Sequence, residues 1–102
     1  MKDEEKAIWK KALLIKGEAS QIDILLEELA ELIQAVIKYK RSVMYKKDIN
    51  IDEKQIILNI AEEIADVEIM LNQMKFNFSF EKQVKTFYDF KFKRFKDRLN
   101  KI

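Results

Sequence analysis

Two acidic pairs carry the chemistry in this chain: Glu28-Leu29-Ala30-Glu31 and Glu63-Ile64-Ala65-Asp66. Each sets two carboxylates three residues apart, which on a helix makes them neighbours on one face. Two such helices packed together would bring four carboxylates to one place, where they repel one another unless a cation neutralises them. The chain has no histidine and no cysteine. That removes imidazole bases, thiolate nucleophiles and soft-metal sites, along with the Glu-x-x-His ligand pattern of di-iron carboxylate bundles. Oxygen donors remain, and they suit a hard divalent ion: Mg²⁺, Mn²⁺ or Ca²⁺.

The elements that must position these groups are helices. At 102 residues the chain suits a single domain, residues 1–102, with a modest core and something to gain from oligomerising. It has no proline, and Gly17 is its one glycine, so the turn chemistry that a sheet needs at short intervals is missing. No apolar run approaches a membrane span. The charged start, Lys2-Asp3-Glu4-Glu5-Lys6, is not a secretory signal. Without cysteine there is no disulfide framework, and a reducing cytoplasm is the expected setting.

Periodicity divides the chain into four helices: about Asp3 to Ile15, Glu18 to Met44, Ile51 to Phe76 and Phe80 to Leu99. Gly17 is the first break. Tyr45 to Asn50 reads as a polar loop, with Asn50 as N-cap of the third helix. Asn77-Phe78-Ser79 is the last break, with Ser79 as the cap that follows it. Short connections of this kind predict a four-helix bundle. At about 100° per residue, the apolar stripe of the second helix centres near Leu29, widened by Leu26, Ile33 and Ile37. Glu28 and Glu31 lie between that stripe and a solvated face that includes Glu27 and Lys38. On the third helix, Ile56, Ile60, Ile64, Val67, Leu71 and Met74 form the stripe. Glu63 falls at its edge, with Asn59, Asp66 and Gln73 beside it, and a second apolar group follows (Leu58, Ala61, Ala65, Ile69). Carboxylates flanked by apolar surface on both sides need a metal or a cation. Directions therefore favour Glu28 over Glu27 and Glu63 over Glu62. Glu27, Glu62, Lys38 and Gln73 are left as groups that could stand behind the ligands.

Charge is distributed unevenly beneath a net value of +2. From Gly17 to Asn72 there are twelve acidic residues against six basic, and from Lys75 onward nine basic against three acidic. On the last helix Val84, Tyr88, Phe92, Phe95 and Leu99 form an apolar side, and Lys91, Arg94 and Arg98 sit at its edge. Such cations either snorkel or hold phosphate, for which Arg offers a bidentate fork.

Glu27-Glu28-Leu-Ala-Glu31-Leu followed by Glu62-Glu63-Ile-Ala-Asp66-Val resembles the signature of the MazG-like, all-α nucleoside triphosphate pyrophosphohydrolases, Glu-Glu-x-x-Glu and then Glu-x-x-Asp. Gln21-Ile-Asp, Glu31-Leu-Ile-Gln34-Ala, Lys38-Tyr-Lys-Arg41, Asp66-Val-Glu-Ile-Met and Lys91-Phe-Lys-Arg94 extend the resemblance over roughly Gly17 to Leu99. It implies an all-α, four-helix MazG-like fold completed by a homodimer or tetramer. It also implies Mg²⁺-dependent cleavage of a nucleoside triphosphate to the monophosphate and pyrophosphate. By the same resemblance Glu28, Glu31, Glu63 and Asp66 would be the catalytic metal ligands, and Lys91 and Arg94 would hold phosphate. The chemistry fits independently: phosphoanhydride hydrolysis needs charge neutralisation and an in-line water, and little covalent help from protein.

Two other readings compete. One is a non-catalytic helical interaction or scaffold protein whose acidic strip binds metal or a basic partner. The other is a nucleic-acid binder using Lys91, Lys93, Arg94, Lys96 and Arg98. The modest net charge and the expectation that the interleaved phenylalanines belong to a core argue against the second.

Overall fold

The computed structural model describes residues 1–102 and is all-helical, with no strand. Helix α1 spans Asp3–Lys16, α2 Glu18–Tyr39, α3 Glu53–Asn77 and α4 Glu81–Leu99. None is long and apolar enough to cross a membrane.

Gly17 divides α1 from α2. Its φ of 82° is a backbone conformation that L side chains rarely adopt, and its N–H donates to the Leu13 carbonyl at 2.9 Å, closing α1. Helix α2 does not run as an α-helix to Met44. From Lys40 to Met44 the turns widen to a π-helix. Ser42 is fully buried there, and its hydroxyl donates to the Asp48 carboxylate. Arg41 Nε reaches the same oxygen at 3.2 Å. This carboxylate ties the loop to the end of the helix, at the stretch where the turns widen. The cap of α3 is Asp52 rather than Asn50: its side chain accepts from the Gln55 N–H at 3.1 Å, while Asn50 sits at φ 56° in the loop. At the last break Ser79, at φ 55°, is a turn residue, and α4 begins with no side-chain cap.

Helices α2 and α3 form an antiparallel hairpin, with Glu28 near Asp66 at one level and Lys38 near Ile56 at another. Helix α1 packs across both, mainly on α3. The buried apolar residues are Ile56, Val67 and Met70, all on α3. Their directions place the centre of its packed face at Glu63, not beside it. The face is thus rotated from the stripe read in the sequence, and Ile64 and Leu71 are left exposed. The buried Gln73 fixes that rotation. Its amide donates to the Trp9 carbonyl at 3.1 Å and to Asn77 Oδ1 at 2.6 Å, turning the polar side of α3 toward α1.

The fourth helix does not close a bundle within the chain. It leaves the end of α3 through Phe78–Phe80, whose two rings sit 5.4 Å apart. Glu81, in its first turn, pairs with the Met1 ammonium at 2.9 Å. From Lys85 onward every residue of α4 is exposed. Tyr88, Phe92, Phe95 and Leu99, expected to face a core, lie open to solvent.

Candidate functional site

Opposed positions of α2 and α3 build an acidic cluster in the hairpin seam. Carboxylate oxygens of Glu28, Glu31 and Glu63 all lie within 4.8 Å of one another. Glu28 and Glu63 are half-buried, and each has its Oε2 out of contact with solvent and without a hydrogen-bond partner. Glu31 is exposed at the mouth. Asp66 is half-buried and stands outside the 4.8 Å set, yet close enough for its charge to act on both Glu28 and Glu63.

The electrostatics follow from that packing. Glu28 is raised above its ordinary value of 4.5, first by loss of hydration and then by the charges of Glu31, Asp66 and Glu63. Glu63 is raised in the same way, by loss of hydration and then by Glu31 and Asp66. Proteins rarely leave a buried carboxylate oxygen unpaired. Two in one cluster, facing a third carboxylate, form an oxygen-donor set that lacks positive charge. No lysine or arginine of the chain makes an ion pair with Glu28, Glu31, Glu63 or Asp66. Such a set fits a hard divalent cation: oxygen donors only, three carboxylates at ligand spacing and a fourth at hand.

Beside the cluster lies a hollow of about 370 Å³, within the range of small-molecule pockets. Glu31, Gln34, Lys38, Ile56, Asn59 and Glu63 line it. Lys38 shares that hollow with Glu31 and Glu63. Glu27 and Glu62 point outward and are exposed. Gln73 does not stand behind the ligands. It is ten residues beyond Glu63, about 15 Å along the helix, and is committed to Trp9 and Asn77.

Lys91 and Arg94 are not brought to the cluster within one chain. Both are exposed on the free part of α4, where Arg94 lies over the Phe90 ring at 6.0 Å from its centroid. The phenylalanines of α4 are not core residues either: Phe87, Phe90, Phe92 and Phe95 are each more than half exposed.

One group went unnoticed in the sequence. Asp48 receives the Ser42 hydroxyl and the Arg41 guanidinium, and those contacts hold its carboxyl below the ordinary 3.8. The available signal was a serine in the last turns of a helix with an aspartate six residues on.

No protein-family model, no curated protein and no solved structure matches the chain. The functional reading rests on the residues themselves.

Proposed function

We propose that this chain is a nucleoside triphosphate pyrophosphohydrolase of MazG-like fold, cleaving a (d)NTP to the (d)NMP and pyrophosphate with Mg²⁺, or Mn²⁺ in its place. The observation that carries the reading is the set of Glu28, Glu31 and Glu63 at ligand spacing, in which Glu28 Oε2 and Glu63 Oε2 are buried without a hydrogen-bond partner. Together with Asp66 these residues would hold the ion. Held there, Mg²⁺ would supply neutralisation of phosphate charge and a water of lowered pKa.

The chain's own residues have three tasks. Glu28, Glu31 and Glu63 gather negative charge in a seam that excludes part of the solvent, which strengthens their hold on a cation. Ile56, Val67 and Met70 fix the register of the hairpin, and so the spacing of the carboxylates on α3 against those on α2. A carboxylate of the cluster not fully engaged with the ion would accept the proton of the attacking water. Lys38 borders the hollow where the polyphosphate would lie. Lys91 and Arg94 supply further phosphate contacts once a second chain completes the fold, and the lack of cysteine suits a cytoplasmic enzyme.

The test is pyrophosphate release from a panel of (d)NTPs in Mg²⁺. Release from at least one is the expected result. A folded chain that releases none from any, with Mg²⁺ or Mn²⁺, would leave the scaffold reading in its place.

A further inference from the structure

We propose that Lys38, with the side-chain amides of Gln34 and Asn59, receives the far end of a metal-bound polyphosphate chain, so that the site selects triphosphates over diphosphates. The proposal rests on the nucleotide reading above and says what that site measures: the length of the phosphate chain, at the end away from the ion. Lys38 belongs to the same chain as the carboxylates, so the selection needs no second copy.

Spacing along the seam gives the first argument. The hollow of about 370 Å³ reaches from Glu31 and Glu63 to Lys38 and Ile56. Lys38 is seven residues beyond Glu31 on α2, and Ile56 is seven before Glu63 on the antiparallel α3. Both therefore lie about 10 Å along the helices from the carboxylates. Gln34 and Asn59 stand between, about 4–6 Å along. The seam thus presents carboxylates, then amides, then an ammonium.

The donors left free give the second. Asn59 Oδ1 accepts from Gln55 Nε2 at 2.8 Å, which leaves the Nδ2 hydrogens of Asn59 for a ligand. Lys38 makes no ion pair, and Asp48, on which its charge also acts, is engaged by Ser42 and Arg41. Lys38 is the one cation that lines the hollow, and its apolar lining is Ala35 and Ile56, with no aromatic ring. Such a wall offers hydrogens to anionic oxygens and gives a base nothing to stack on. The matching ligand is cationic where it meets the carboxylates and anionic beyond: a divalent ion carrying a phosphate chain.

Chain length follows from the order of the groups. Phosphates anchored through an ion at Glu31 and Glu63 pass the amides before they meet Lys38. Each added phosphate carries the terminal oxygens farther from the ion. A triphosphate brings them to the ammonium, which donates charge-assisted hydrogen bonds, whereas a diphosphate ends among the amides and leaves Lys38 in water.

Titration calorimetry in Mg²⁺ tests this without turnover, with inorganic tripolyphosphate and pyrophosphate as probes. Wild type should bind tripolyphosphate at least roughly tenfold more tightly, the worth of one hydrogen bond to a charged group. Lys38→Ala, at an exposed position, should bring the two probes within about twofold, and Lys38→Arg should keep the preference. Lys40→Ala is the control: Lys40 stands over the Tyr45 ring at 5.5 Å and does not line the hollow, so the preference should be unchanged. Equal binding of both probes by wild type overturns the proposal. So does a preference that survives Lys38→Ala, or one that Lys40→Ala removes as fully.

Turnover separates the proposal from the nucleotide reading. With a nucleotide that wild type hydrolyses, Lys38→Ala should lower kcat/KM for the triphosphate by about ten- to a hundredfold and leave that for the diphosphate of the same base within about twofold. Equal losses on both overturn the proposal and leave the enzyme standing. A wild type that hydrolyses no nucleotide yet prefers tripolyphosphate through Lys38 upholds the proposed contact and counts against the nucleotide reading alone.

Discussion

Helices α3 and α4 carry apolar stripes of similar length and differ in what those stripes meet. On α3, Ile56, Val67 and Met70 are buried against α2 and α1, and that contact brings Glu63 into a seam beside Glu28. On α4, Phe87, Tyr88, Phe92 and Phe95 are each more than half exposed, with Tyr88 and Phe92 stacked along their own helix, and the cations between them stay in water. The lesson is that an amphipathic pattern specifies that a helix needs a partner, not where the partner comes from. It also divides the charges. Carboxylates on the packed helices are dehydrated and perturbed, whereas Lys91 and Arg94 on the free helix are exposed.

The largest effect expected from breaking that division is on turnover. Glu63→Gln removes a carboxylate of the proposed site from the packed side, and pyrophosphate release should fall at least a hundredfold, since even groups that only orient ligands cost about 10–100-fold. Helicity by circular dichroism should be unchanged, because the amide occupies the same seam. Lys93→Ala, on the solvated side of α4, should leave turnover within about twofold. If both variants behave alike, the packed and free helices are not distinct in function.

Metal sharpens the same contrast through stability. Mg²⁺ at a hundredfold excess over its dissociation constant should raise the melting temperature by roughly 10 °C. Glu28→Gln/Glu63→Gln should abolish that rise, and Lys91→Ala/Arg94→Ala should not. Without metal the pH dependence has a definite sign. Glu28 and Glu63 are raised above 4.5 in the folded chain, so the folded state holds their protons more tightly than the unfolded state. Unfolded chains therefore bind fewer protons over that window, and stability falls as pH rises above 4.5 through the raised values. Asp48, lowered from 3.8, acts in the opposite sense and only at lower pH, where protonating it releases Ser42 and Arg41. A scan of melting temperature in chelator should show a loss as pH rises above 4.5 that Mg²⁺ cancels. A flat or rising curve would remove the dehydrated carboxylate pair from the account.

These tests bear on residues of unequal legibility. The choice of Glu28 over Glu27 and of Glu63 over Glu62 was readable, because direction around a helix needs only residue spacing, and the inward pair is the half-buried one. The break at Gly17 was readable for the same local reason. What escaped depends on contacts distant in the chain. The π-helix at Lys40–Met44 holds the buried Ser42, whose hydroxyl donates to Asp48 in the following loop, and no propensity records that contact. Gln73 looked like a companion of the acidic strip, since it shares a face with Asp66. It is held instead by a carbonyl of α1, sixty-four residues away. The detachment of α4 escaped because its stripe reads the same whether it folds on its own hairpin or on another.

Gln73 gives the next effect in size. Gln73→Ala removes the side-chain donor that joins α3 to the Trp9 carbonyl and leaves Asn77 Oδ1 unpaired, in a spot already holding unpaired Trp9 Nε1 and Asn77 Nδ2. A loss of about 2–3 kcal/mol in urea unfolding is expected. Because Gln73 sets the rotation of α3, Mg²⁺ affinity should weaken too, although the residue lies about 15 Å along the helix from Glu63. If affinity is unchanged while stability falls, the seam does not depend on α1 for its register.

The smallest effects distinguish how the two helices start. Helix α3 is capped by Asp52, whose side chain takes the Gln55 N–H, and Asp52→Ala should cost about 1 kcal/mol. Helix α4 has no side-chain cap, and Ser79 before it holds φ 55°, where glycine is at no disadvantage. Ser79→Gly removes that strain but adds freedom to the unfolded chain, so its net effect on global stability should stay within about 1 kcal/mol. Urea unfolding of both variants checks the order: a Ser79→Gly chain that loses more stability than Asp52→Ala would mean that glycine does not relieve strain at that turn.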